Sequence, residues 1–194
     1  MTRGLLGGTF DPPHYGHLVL AEEARVRFSL DEVLFVPARI PPHKRTSDLT
    51  GYAHRRRMAE LAVAGNGFFR VADLEPEDRI SFTVDLIERF SAPAERPVFI
   101  MGMDSLVEMR AWKDPERLLG MARVVVGTRP GFDCDDVEER LLKGVEVFPI
   151  PGLWISSTDL RDRFANGRNT RYLTSDDVRT YVIREGLYGA GKGD

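Results

Sequence analysis

The 194-residue chain has one cysteine, Cys134, so it has no internal disulfide. That thiol sits in the run "FDCDD" among carboxylates, which disfavour the thiolate and make it a poor nucleophile. No apolar run approaches the ~20 residues a membrane span needs. The N-terminus reaches Asp11 before the core of a secretory signal could form. Positive charge is not in excess: 27 Lys and Arg stand against 30 Asp and Glu, a net charge of −3, which argues against non-specific binding of nucleic acid. Internal repeats and low-complexity stretches are lacking too. These absences lead us to expect a cytoplasmic protein with neither nucleic acid nor a membrane as partner. What is present is a chain that is 42% hydrophobic and 29% charged, able to bury a core and stay in solution. Its length suits a single domain spanning 1–194.

Short Val-, Ile- and Phe-rich runs alternate with helical patterns. The runs are 4–8, 32–38, 68–72, 97–102, 122–128 and 145–150, and most are apolar on both faces, as buried parallel strands are. Between them, Leu18, Ala21, Ala24 and Phe28 recur at helical spacing, as do Met58, Leu61 and Ala62, and Val84, Ile87 and Phe90. Such alternation predicts a Rossmann-like open α/β fold, with a mainly parallel sheet over about 1–150 flanked by helices. From about 151 to 189 the pattern changes. "SSTDLRDRFANG" and "SDDVRTYVIREG" each open on capping residues and close at glycine, which predicts two C-terminal helices. Residues 39–52, with Pro, Ser, Thr, Lys44 and Arg45, read as a long loop, and long loops in compact domains tend to be functional.

The first strand runs into "GGTFDPPHYGHL", Gly7 to Leu18, with a helix opening near Gly16. Ligands of open α/β sheets bind at the carboxyl ends of strands, where helix N-termini offer free N–H groups. Glycines let the backbone approach a phosphate, prolines fix the turn, and His14 and His17 can face one side. A phosphate cradle is one reading. A plain strand–turn–helix junction with exposed histidines is another, and a metal pair is a third, although no further ligand of obvious type stands nearby. The stretch is neither a Walker A loop nor a dinucleotide fingerprint. A second constellation, "ISSTDLRDRF" (155–164), places Ser156, Ser157 and Thr158 at a helix start with Arg161 one turn in. It reads either as a second anion site or as ordinary N-capping beside a surface arginine.

"HYGH" resembles the His-x-x-His element of the nucleotidylyltransferase superfamily. With "PPHK" (41–44), "HRRRMAELA" (54–62), "SFTVDLI" (81–87), "FIMGMDSLVEMRAW" (99–112), "RPG" (129–131), "ISSTDLR" (155–161) and the segment 171–189, the chain resembles, nearly end to end, the bacterial nicotinate mononucleotide adenylyltransferases. That resemblance implies adenylyl transfer from ATP, accompanied by Mg²⁺, to nicotinate mononucleotide, giving deamido-NAD and pyrophosphate. It implies that Gly8, Thr9 and Phe10 lie along the nucleotide and that His14 and His17 meet the ATP phosphates. Gly102 and Asp104 would meet the adenosine. Ser157, Thr158 and Arg161 would complete the triphosphate site, so that His14, His17 and Arg161 act on the reacting phosphates. Thr83 and Trp112 would receive the pyridine ring, Lys44 the mononucleotide phosphate, and Arg129 would line the mononucleotide side. No protein-held metal is implied. Taken without the family, Asp104 reads as a helix cap, Trp112 as a core or groove aromatic, and Lys44 as a solvated loop lysine. Arg55, Arg56 and Arg57 read as a solvated helix face, with Arg55 the first candidate for an exception. The chain departs from the family's usual "GPSYT", which here is "RISFT" with Phe82 for tyrosine, and Lys113 follows the tryptophan. Relatives of the superfamily that use other acceptors, such as pantetheine phosphate, and a non-catalytic nucleotide sensor are the competing readings.

Overall fold

The structure is a computed structural model that describes residues 1–42, 49–75, 79–90 and 96–191. Six strands, β1 (Arg3–Gly8), β2 (Glu32–Pro37), β3 (Phe69–Val71), β4 (Val98–Gly102), β5 (Arg123–Gly127) and β6 (Val145–Phe148), form one sheet in the order 3-2-1-4-5-6, and every pairing is parallel. All six runs read from the sequence are strands. The order reverses between β1 and β4, so the carboxyl ends of these two central strands flank the crevice that such sheets use for ligands.

Alternation along the strands covers both faces. Leu5, Leu34, Phe99, Met101, Val124 and Val126 point into one buried layer, while Leu6, Val33, Phe35, Ile100 and Val125 point into the other. The first layer is closed by α3 (Thr83–Phe90), α4 (Met103–Glu108), α5 (Pro115–Met121) and α6 (Glu139–Leu142) through residues such as Ile87, Leu106, Leu118 and Leu141. The second is closed by α1 (Tyr15–Arg27), which buries Leu20, Ala21 and Ala24, and by α2 (Tyr52–Val63) with Ala59 and Val63. The two helices foreseen at the end of the chain are α7 (Ser157–Ala165) and α8 (Asp176–Arg184). Ser156 caps α7 by accepting the Asp159 N–H at 3.1 Å, and Ser175 caps α8 by accepting that of Val178 at 3.4 Å. These two helices pack Leu160, Phe164, Val178 and Val182 against Met58 and Ala62 of α2, in a third cluster beside the sheet. No helix among the described residues is long and apolar enough to cross a membrane.

Candidate active site

A cavity of about 370 Å³ opens at the carboxyl ends of β1 and β4. Gly8, Thr9, Phe10, His14, His17, Thr83, Gly102, Asp104, Trp112, Arg129 and Ser157 all line it, so one crevice joins both halves of the site expected from the sequence. Thr158 and Arg161 stand outside that lining, and Lys44 lies outside the described residues.

The turn from Thr9 to His14 is almost wholly buried, Pro12 and Pro13 included, and prolines donate no hydrogen bond. Its carbonyls therefore need donors from elsewhere, and the C-terminal segment supplies them. Arg161 Nη1 donates to the Asp11 carbonyl at 2.8 Å, Ser157 Oγ to that of Pro12 at 2.8 Å and Thr174 Oγ1 to that of Pro13 at 2.8 Å. The Asp11 carboxylate, itself 1% exposed, accepts from the Tyr188 hydroxyl at 2.6 Å and from the Thr50 N–H at 3.3 Å. Burial and the facing Asp11 carboxylate drive the Tyr188 phenol far above its ordinary range, so it stays a donor.

His14 sits at the N-cap of α1 with extended backbone, and its ring lies 3.8 Å from that of His17, centroid to centroid, tilted by 30°. Gly16 makes room for this arrangement: a Cβ there would stand 3.0 Å from Cε1 and Nδ1 of His14. Only 5% of His14 is exposed, and its Nδ1 is buried without a hydrogen-bond partner. Burial, with the His17 ring and the Arg129 guanidinium, holds its pKa far below the usual imidazole range, so His14 is neutral at physiological pH. The His14 N–H points at His17 Nδ1 at 3.2 Å. A backbone N–H can only donate, so that nitrogen is the acceptor, and the neutral ring carries its proton on Nε2. Phe10 holds the other side of His17 in an edge-to-face contact at 5.1 Å.

The start of α7 is tied into the protein's own structure. Its hydroxyls are all engaged: Ser156 in the cap, Ser157 on Pro12, and Thr158 Oγ1 accepting from Arg161 Nη2 at 3.2 Å. Asp104 is not a helix cap, because Gly102 holds that position in α4 and makes no side-chain cap. The Asp104 carboxylate instead accepts from Arg129 Nη1 at 2.5 Å, and Arg129 Nη2 donates to the Ile155 carbonyl at 3.2 Å. Arg129 thus links α4 and the end of β5 to the approach of α7. Elsewhere in the lining, Thr83 begins α3 and the half-buried Trp112 meets Phe99 edge to face at 6.4 Å. The two departures noted in the sequence meet here. Lys113 Nζ lies 4.9 Å from the centre of the Phe82 ring and donates to both Asp85 oxygens at 2.9 and 3.0 Å. Among the described residues, no group of three or more His, Cys, Asp or Glu side chains could hold a metal ion.

Arg55 is the exception its neighbours are not. It is 1% exposed and donates to four carbonyls: Thr50 at 2.9 Å, Thr9 at 2.9 Å, Ala38 at 2.7 Å and Arg39 at 3.0 Å. It ties together the chain after β1, the chain after β2 and the approach to α2. The signal was in the spacing, since Arg55 shares a helix face with Met58, Ala59 and Ala62. Asp11, Thr174 and Tyr188 carried no comparable sign, because their partners lie more than a hundred residues away or on loops.

Residues 5–163 match the cytidylyltransferase-like family. A probable nicotinate-nucleotide adenylyltransferase of Desulfitobacterium hafniense (strain Y51) is 40% identical over 95% of this chain and 94% of its own length. A counterpart in Roseiflexus sp. (strain RS-1) is 43% identical over 95% and 96%. The chain belongs to the nicotinate-nucleotide adenylyltransferase family. Among solved structures, the Plasmodium falciparum nicotinic acid mononucleotide adenylyltransferase complexed with NaAD matches with a TM-score of 0.83, covering 98% of both chains at 22% identity. The six-stranded sheet is therefore the fold of a nicotinate-nucleotide adenylyltransferase. Nucleotidyltransferases of this kind use a divalent metal ion with ATP.

Proposed function

We propose that the protein transfers the adenylyl group of ATP to nicotinate mononucleotide, releasing pyrophosphate and forming deamido-NAD. The observation that carries this reading is the crevice lined by His14 and His17 together with Thr83 and Trp112. A phosphate monoester is already an anion at neutral pH, so the acceptor attacks the α-phosphorus without a general base. The protein has to align two polyanions and stabilise the charge that grows on the leaving pyrophosphate. His17 donates from Nε2 to a phosphate oxygen. His14, neutral and stripped of solvent, keeps a polar face toward the same oxygens. The first turn of α7 and Arg161 hold the departing phosphates, with Ser157 and Thr158 beside them. Gly8, Thr9 and Phe10 run along the nucleotide, and Gly102 and Asp104 meet the adenosine. Thr83 and Trp112 receive the pyridine ring, Arg129 lines the mononucleotide side, and Lys44 takes the acceptor phosphate on the strength of its motif alone. Mg²⁺ enters with ATP as part of the substrate, held by phosphates and water, and neutralises charge there. The whole chain acts as one domain, at work in the cytoplasm.

The start of α3 favours a carboxylate on the pyridine ring over a carboxamide, because free N–H groups and the helix dipole stabilise negative charge. The test is pyrophosphate release from Mg-ATP with nicotinate mononucleotide, nicotinamide mononucleotide or phosphopantetheine. The reading expects kcat/KM to be highest with the nicotinate acceptor. Equal values for acid and amide remove the carboxylate preference, and release with none of the three removes the enzyme assignment.

A further inference from the structure

Thr174 lies in the short segment between α7 and α8, is 1% exposed, and does not line the crevice. Its hydroxyl donates to the Pro13 carbonyl at 2.8 Å. The same peptide unit carries, on its other side, the His14 N–H that donates to His17 Nδ1 at 3.2 Å. A peptide unit is planar and stiff, so its C=O and N–H are aimed together. Turning the carbonyl turns the N–H. The neighbouring Leu173 carbonyl accepts the Tyr15 N–H at 3.1 Å, so residues 173 and 174 grip the chain on both sides of His14. The hydroxyl, the peptide and the imidazole form one hydrogen-bonded row, in which each bond polarises the next.

We propose that Thr174 is a positioning residue for His17: by holding the Pro13–His14 peptide it keeps the His17 ring protonated on Nε2 and aimed into the crevice. Proline at 13 explains why a side chain from so far away is needed. The turn has no N–H at residues 12 and 13 with which to organise itself. The proposal rests on the adenylyl-transfer reading for what His17 does to phosphate, and on geometry alone for how the ring is held.

Thr174→Val removes the hydroxyl and keeps the shape, and Thr174→Ser restores the hydroxyl. The expected result is a kcat about tenfold lower for the valine variant, the scale of cost when a catalytic group is misplaced by a fraction of an ångström. KM for nicotinate mononucleotide stays within about twofold, and the serine variant returns close to the parent kcat. In a His17→Ala background the valine change costs less than about twofold more, because its route to the chemistry is gone. Imidazole ¹⁵N NMR of the valine variant shows His17 leaving a single Nε2–H tautomer while His54 stays unmoved. A parent-like kcat in Thr174→Val, or the same loss with and without His17, overturns the proposal. Should the valine variant fail to fold, Thr174→Cys, a weaker donor, stands in with an intermediate kcat expected. If the parent releases no pyrophosphate with any acceptor, the functional reading fails by itself. The nitrogen shifts then decide, and an unchanged His17 tautomer in Thr174→Val or its stand-in sinks the proposal.

Discussion

Replacing Arg55 by methionine is a sharp test of how the crevice is held together. The side chain's guanidinium is enclosed, and its four hydrogen bonds all end on main-chain oxygens, one in the β1–α1 connection and three at the two ends of the β2–α2 connection. Methionine fills similar space and donates nothing. Each bond from a charged donor contributes about 1.5–3 kcal/mol net, and each buried carbonyl left alone costs about 1–3 kcal/mol. Against this, the variant no longer buries a cation, whose desolvation opposes folding and already pulls the Arg55 pKa down. The balance is a loss of about 3 kcal/mol, which for a chain of this length lowers Tm by about 6–12 °C. Urea unfolding followed by tryptophan fluorescence reads the loss directly. Arg57→Met is the control: Arg57 is exposed, pairs with Glu60 at 3.2 Å, and its replacement changes stability by no more than about 0.5 kcal/mol. Arg55→Lys recovers little of the loss, since an ammonium cannot span oxygens arranged for a planar fork. If Arg55→Met loses no more than Arg57→Met, the four bonds are not what joins these loops.

Two further outcomes follow from the histidines. His17→Ala lowers kcat by roughly 10²–10³, as loss of one donor to developing charge does, with the circular dichroism spectrum unchanged; near-parent turnover removes His17 from the transition state. His14 titrates near 6.5 when unfolded and far lower when folded. The unfolded chain therefore takes up the extra proton, and stability drops as pH falls below about 6.5, by up to about 1.4 kcal/mol per unit from this residue. His14→Gln removes that part of the acid sensitivity. Urea midpoints of the two proteins at pH 7 and pH 5 measure it, and a gap between them that does not change with pH refutes the account.

The strands were legible because buried parallel strands are dense in β-branched and aromatic residues, and all six apolar runs pair in the sheet. The short helices α5 and α6 were not, since four to seven residues give too little periodicity to separate helix from loop. Motif resemblance brought most of the site residues to one crevice. It could not say that Ser157 and Arg161 spend hydrogen bonds on the opening turn, nor that Asp104 reaches for Arg129. Those are pairings across folded space, and no local pattern encodes them. Arg55 lies between these cases. Its helical spacing gave the burial, while its four acceptors came only with the fold.

The bonds that hold the proline turn join residues 145, 150, 161 and 177 positions apart. A ribosome delivers this turn well before any of its clasps. Because chains begin to fold from the N-terminal side as they are made, β1 to β6 can assemble on a growing chain whose turn still lacks every one of these donors. The turn that carries His14 therefore gains these bonds only after the sheet's strands have been made. A nascent or prematurely stopped chain carries the sheet without the means to hold its histidines in place.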